Sequence, residues 1–169
     1  TIGDILLVLN EQRQIIYVNQ TLRYALGTTD DSKVYGMRPG EIMRCSDVDE
    51  ATGGCGTSVF CRSCGLALAI VAGLQGHEAI KECSIKQRDG TALEFRVRAR
   101  PLELNGEHYA VVSLKDISDE KRRHVLERIF YHDILNSAGL VSGFVDLMDD
   151  DYQLDIDEIR ASLRMVCDR

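Results

Sequence analysis

The sequence has no run of 18 uninterrupted apolar residues, which excludes a transmembrane helix within it. It has no basic stretch leading into an apolar one, so no signal peptide is legible, and a cytoplasmic location is expected. The first residue is Thr rather than Met, which leaves an upstream membrane anchor open. There is no basic excess either: 20 Lys and Arg stand against 27 Asp and Glu, a formal net charge of -7. Like charges repel, so non-specific binding to nucleic acid or to an anionic membrane is excluded as a function class. Internal repeats and low-complexity tracts are absent. What remains is 169 residues with 44 % hydrophobic and 28 % charged content, the balance of a soluble globular protein. That length holds one good core, or one domain plus a smaller appended element.

Six cysteines stand out. Cys45, Cys55, Cys61 and Cys64 crowd one segment, Cys83 follows alone, and Cys167 sits near the end. A secreted disulfide scaffold would be shorter and would spread its cysteines along the chain. The clustering points to a metal or redox site in a reducing compartment. Cys167, on an apolar seam, reads as a packed small hydrophobe.

Periodicity predicts strands at Ile5 to Leu9 and Ile15 to Val18, then a short helix capped by Asn19 and ended by Gly27. After the cysteine segment, Leu66 to Leu74 reads as a compact apolar helix. Three strands follow, His77 to Gln87, Ala92 to Leu102 and Glu107 to Leu114, joined by Asp89-Gly90 and Asn105-Gly106 hairpin signals. Cys83 falls on what reads as a central strand. From Asp119 to Met148 no proline interrupts, and Leu126, Ile129, Phe130, Leu140, Phe144, Leu147 and Met148 recur at helical spacing. Asp155 and Glu158 open a second helix with a seam of Ile156, Ile159, Leu163 and Val166. Such a hairpin cannot bury both seams alone, so a dimeric four-helix bundle is expected.

On this strand order, with the closing Leu114-Lys115-Asp116-Ile117-Ser118 and Glu120-Lys121-Arg122, residues 1–116 resemble a PAS domain, an α+β fold of a five-stranded antiparallel sheet with short helices. Residues 117–169 resemble the linker helix and truncated dimerisation and phosphoacceptor domain of a sensor histidine kinase. The motif is Phe130-Tyr131-His132-Asp133-Ile134-Leu135-Asn136, similar to that family's H-box. The resemblance implies His132 as phosphoacceptor, Asp133 as the adjacent acid, and Asn136 as an orienting group. It also implies a homodimer, a response-regulator receiver domain as partner, and an ATP-binding kinase domain that these residues do not include. ATP would serve only the full-length protein. Helix geometry agrees in part: at 100° steps His132, Asn136, Gly139 and Gly143 share a stripe away from Leu126, Phe130, Leu140 and Phe144. A neutral ring nitrogen attacks phosphorus, and an acid can hold the other nitrogen's proton. His77, His108 and His124 lack such company and read as surface residues.

The spacing Cys45-x9-Cys55-x5-Cys61-x2-Cys64-Gly65, at 45–64, is unusual for a PAS domain. Cys-x-x-Cys-Gly forms a tight knuckle whose backbone N–H groups face the sulfurs, as thiolate ligands require. Four sulfurs satisfy an iron–sulfur cluster or Zn²⁺, and spacing does not separate them. Thiol–disulfide switching without metal is a third reading. Cys83 is an alternative ligand. No Cys-x-x-Cys-His for a c-type haem occurs, and the βαβ context of a thioredoxin-like enzyme is missing. The chain therefore reads as sensory input and phosphoacceptor, sensing redox state, oxygen or metal through a cysteine-ligated centre and relaying it to His132. The rival is a zinc-stabilised PAS interaction and dimerisation module without phosphotransfer.

Overall fold

Strand pairing dominates the fold. The computed structural model describes residues 3–27, 30, 33–149, 160 and 164. In chain order these form β1 (Ile5–Leu9), β2 (Ile15–Val18), α1 (Gln20–Leu26), α2 (Pro39–Ile42), α3 (Gly65–Leu74), β3 (Ala79–Lys86), β4 (Ala92–Leu104), β5 (Glu107–Asp116) and α4 (Ser118–Asp149). The chain divides into two compact units, Thr1–Lys121 and Arg122–Arg169. No helix among the described residues is long and apolar enough to cross a membrane.

The five strands make one antiparallel sheet in the order β2-β1-β5-β4-β3. The β4–β5 hairpin turns at Asn105 and Gly106, with φ of +55° and +81°, the pair of positive values that a two-residue hairpin turn needs. Asn19 ties the other end together. Its Oδ1 accepts from the backbone N–H of Leu6 at 3.1 Å and of Leu22 at 3.3 Å, so one side chain caps α1 and fastens it to β1.

Alternation in β4 and β5 sends Phe95, Val97 and Ala99 to the same side as Ala110, Val112 and Leu114, all buried. Helix α3 covers that face through Leu66, Ala69 and Ile70. Its sequence is apolar nearly all round, and its outer face leaves Leu68 and Val71 exposed.

Cys83 lies on an edge strand rather than a central one. Strand β5 pairs with both β1 and β4, which leaves β3 with β4 as its sole neighbour. Strand β5 runs on to Asp116 rather than ending at Leu114, and the Asp116 Oδ1 then accepts from the Ser118 N–H, where the long helix begins, at 2.8 Å. Within the first unit the helix start is tied to the sheet. Ile117 is buried, and its N–H donates to the Glu94 carbonyl at 2.9 Å. Lys121 pairs with Glu94 at 2.7 Å and Glu82 at 3.5 Å, while Arg96 pairs with Glu120 at 2.9 Å and Glu82 at 3.3 Å.

In the second unit α4 is a single long helix. Its apolar residues Leu126, Ile129, Phe130, Ile134, Leu135, Leu140 and Val141 are exposed. Of the expected second helix only Arg160 and Arg164 are described, both helical. Ile156, Ile159, Leu163, Val166 and Cys167 lie outside the described residues, as do the side chains of Phe144, Leu147 and Met148.

Candidate functional site

Five cysteines line one cavity of about 380 Å³ in the first unit: Cys45, Cys55, Cys61, Cys64 and Cys83, with Phe60 at its margin. Each arrives by a different local device. Cys45 follows α2 and bridges to Gln87, just beyond the end of β3. Cys55 stands between Gly54 and Gly56, whose φ values of +72° and +86° suit residues without a side chain and let the loop reverse sharply. The Arg38 guanidinium then holds this loop by donating to the carbonyls of Gly53 at 2.6 Å and Cys55 at 3.0 Å. Cys61 Sγ accepts from the Gly56 N–H at 3.3 Å and lies 3.2 Å from Ser58 Oγ.

Cys64 is the N-cap of α3, and Gly65 behind it packs directly on the backbone of β3. That contact brings Cys64 Sγ to 3.6 Å from Cys83 Sγ, which faces inward with Ile85 on the buried side of β3. The hydrogen bond from Cys83 draws the Cys64 thiol well below its ordinary pKa, helped by the amides of Ala67 and Leu66. The same bond and burial push Cys83 up. Burial raises Cys45, and raises Cys55 to about 11.

The donor set suits a soft metal ion or a cluster, since all five side chains are sulfurs. Among the described residues, however, no three such side chains converge closely enough to enclose an ion. The expected ligands Cys45, Cys55, Cys61 and Cys64 thus share one cavity, together with Cys83, without forming a closed ligand cage.

His132, Asp133 and Asn136 meet on α4, all exposed. His132 Nδ1 lies 3.2 Å from Asn136 Nδ2 and 3.5 Å from Asp133 Oδ1. Gly139 and Gly143 leave open space on the same stripe. His124 instead pairs with Glu127 one turn on, at 3.5 Å.

Glu82 went unrecognised in the sequence. It borders the cysteine cavity, next to Cys83, and carries the ion pairs to Arg96 and Lys121. No local pattern signals it, because its partners come from β4 and α4.

Solved structures share this architecture. An RNA-binding light-oxygen-voltage receptor aligns with a TM-score of 0.52 at 13% identity, over 76% of this chain and 34% of that one. A variant of Vivid aligns with a TM-score of 0.50 at 12% identity, over 69% and 78%. The PAS domain of a two-component sensor histidine kinase aligns at 0.43 and 10% identity, over 67% and 84%. The likeness at 0.50 and above shows the fold alone, the five-stranded antiparallel sheet with helices expected of a PAS domain. No protein-family model and no curated protein matches the chain. Strand β3 and the start of α3 line one part of the cysteine cavity, and residues of the 45–64 segment line most of the rest.

Proposed function

We propose that the chain is the sensory and phosphoacceptor part of a two-component histidine kinase, with the cysteine cavity as its input. The observation that carries this reading is the convergence of five thiols on one cavity whose wall includes Glu82. From Glu82, Arg96 and Lys121 lead by ion pairs to the first turn of α4. A change of charge or packing in the cavity would reach that turn through three side chains. Helix α4 would carry it onward to His132, by a shift between two packings of a homodimeric bundle. The exposed apolar residues of α4 support such a dimer, since a lone helix in water does not keep them exposed for stability.

Cys45, Cys55, Cys61 and Cys64 would hold an iron–sulfur cluster, whose change of oxidation state supplies the signal. At the output, a protonated His132 Nδ1 would donate to Asp133 and leave the Nε2 lone pair for phosphorus. Asn136, one turn on, would orient the ring by donating from Nδ2 to Nε2, 3.4 Å away, until the phosphoryl group takes that lone pair. The phosphoryl group would pass from ATP on a kinase domain of that family to His132, then to a receiver aspartate.

A zinc-stabilised interaction module has one observation in its favour. The Cys64 and Cys83 sulfurs are 3.6 Å apart, near the ~3.8 Å edge of a tetrahedral zinc–thiolate site with Zn–S of ~2.3 Å. In that reading Cys83 replaces one of the other four thiols and His132 is idle. Phosphorylation separates the two: with ATP and a kinase domain of the family supplied, acid-labile label on His132 supports the kinase reading. Its absence supports the module.

A further inference from the structure

Cys64 and Cys83 make the only sulfur–sulfur hydrogen bond among the described residues, at 3.6 Å, and both are free thiols. They are far apart in sequence and on different elements, so their meeting is a product of the fold. The contact is enforced from behind. Gly65, next to Cys64, lies so close to the Glu82 carbonyl that a methyl group there would overlap it. Neither element can draw away without breaking that packing. A disulfide needs its sulfurs at ~2.0 Å, so closure requires an approach of about 1.6 Å. The two thiols also differ in access. Cys64 is partly exposed and faces the cavity, whereas Cys83 is 3 % exposed.

From this arrangement we infer that Cys64 and Cys83, whenever no metal holds Cys64, form a dithiol that hydroperoxides close to a disulfide. The chemistry goes beyond the proposed metal centre and does not need it. The Cys64 sulfur attacks one peroxide oxygen, and the O–O bond breaks. The departing hydroxide takes the Cys64 proton and leaves as water, with Cys64 now a sulfenic acid. The Cys83 sulfur then attacks the Cys64 sulfur. The S–S bond forms as the S–O bond breaks, and the second hydroxide leaves as water with the Cys83 proton. Two thiols are oxidised, and one hydrogen peroxide is reduced to two waters. The product ties the start of α3 covalently to β3 beside Glu82, the residue that holds Arg96 and Lys121. Oxidation therefore acts on the same ion pairs that anchor α4.

The test is peptide mapping of the 169-residue chain, purified anaerobically, exposed to limiting hydrogen peroxide and alkylated, with and without prior chelation. The expected product after chelation is a peptide joining Cys64 to Cys83, lost in both Cys64→Ser and Cys83→Ser and retained in Cys55→Ser. The wild-type map needs no variant, so a poorly folded variant leaves the experiment decisive. A disulfide of Cys64 with Cys61 or Cys55 would overturn the inference. So would Cys64 stopping at a sulfenic or sulfinic acid while Cys83 stays alkylated. Metal content of the same preparation is read separately: a metal-free protein with the linked peptide upholds the dithiol and fails the metal centre, and the reverse pattern fails the dithiol alone.

Discussion

Gly65 and the Glu82 carbonyl are packed against each other with no room for a side chain between them. An alanine at the first position of an exposed helix would normally stabilise by about 0.4–1 kcal/mol. Here the sign reverses, because the added methyl meets backbone rather than a flexible side chain. Gly65→Ala should destabilise the first unit by about 1–3 kcal/mol, the usual cost of overpacking. It should also speed alkylation of Cys83 by moving α3 off β3. Denaturant melts and thiol mass labelling check both. A stabilised Gly65→Ala protein with unchanged Cys83 labelling would show that the contact is not tight.

Arg38 holds the loop that carries Cys55, by donating to the carbonyls of Gly53 and Cys55. Hydrogen bonds from a charged donor contribute about 1.5–3 kcal/mol, less where water competes, as on this partly exposed side. Arg38→Ala should therefore destabilise by about 1 kcal/mol and accelerate alkylation of Cys55, with Cys83 unchanged. Equal acceleration at both cysteines would mean that Arg38 supports the whole fold rather than this loop.

The Glu94–Lys121 pair sets a pH dependence for the α4 anchor. The hydrogen bond from Lys121 is the main cause that holds the Glu94 carboxyl below its ordinary pKa. A group depressed in the folded state contributes fully above its unfolded pKa, and the contribution is lost as pH falls through the folded value. Lys121 is raised mainly by the same bond, so its contribution is full below its unfolded pKa and is lost as pH rises through the folded one. The anchor should be constant near neutrality and weaken below pH ~4, by at most about 1 kcal/mol for a pair this open to water. Hydrogen exchange at the first turn of α4 reports it. Glu94→Gln should remove the acid-side change, and an unchanged acid response in that variant would assign it to another carboxylate.

The phosphoacceptor reading predicts graded losses on α4. His132→Gln should abolish phosphoryl transfer without loss of helix content, since His132 is exposed. Asp133→Asn should slow transfer by roughly 10²–10⁴, the scale of one acid–base group. Continued labelling of His132→Gln by ATP and a complementing kinase domain would remove the assignment.

Much of this was legible locally. The limits of β1 and β2, the Asn19 cap, the Gly27 stop and the Asn105-Gly106 turn all depend on near neighbours, so the sequence alone reveals them. The uninterrupted run after Asp119 likewise revealed α4 to within a residue at each end. The place of β3 at the sheet edge was not legible, because it depends on β1 joining β5 across the length of the chain. For the same reason the Cys64–Cys83 contact is not legible in the sequence: strand alternation could leave Cys83 on either face, and only the docking of Gly65 on Glu82 decides that the two sulfurs meet. The charged cluster around Glu82 joins β3, β4 and α4, and nothing in any one segment marks it.

The cysteine cavity as sensory input is tested most directly by anaerobic purification followed by metal and sulfide analysis with a visible spectrum. The account predicts bound metal in fixed proportion to the chain, with iron and sulfide marking a redox centre, and its loss in Cys61→Ser. Metal-free protein whose five thiols are equally reactive and whose stability does not respond to chelation would contradict it.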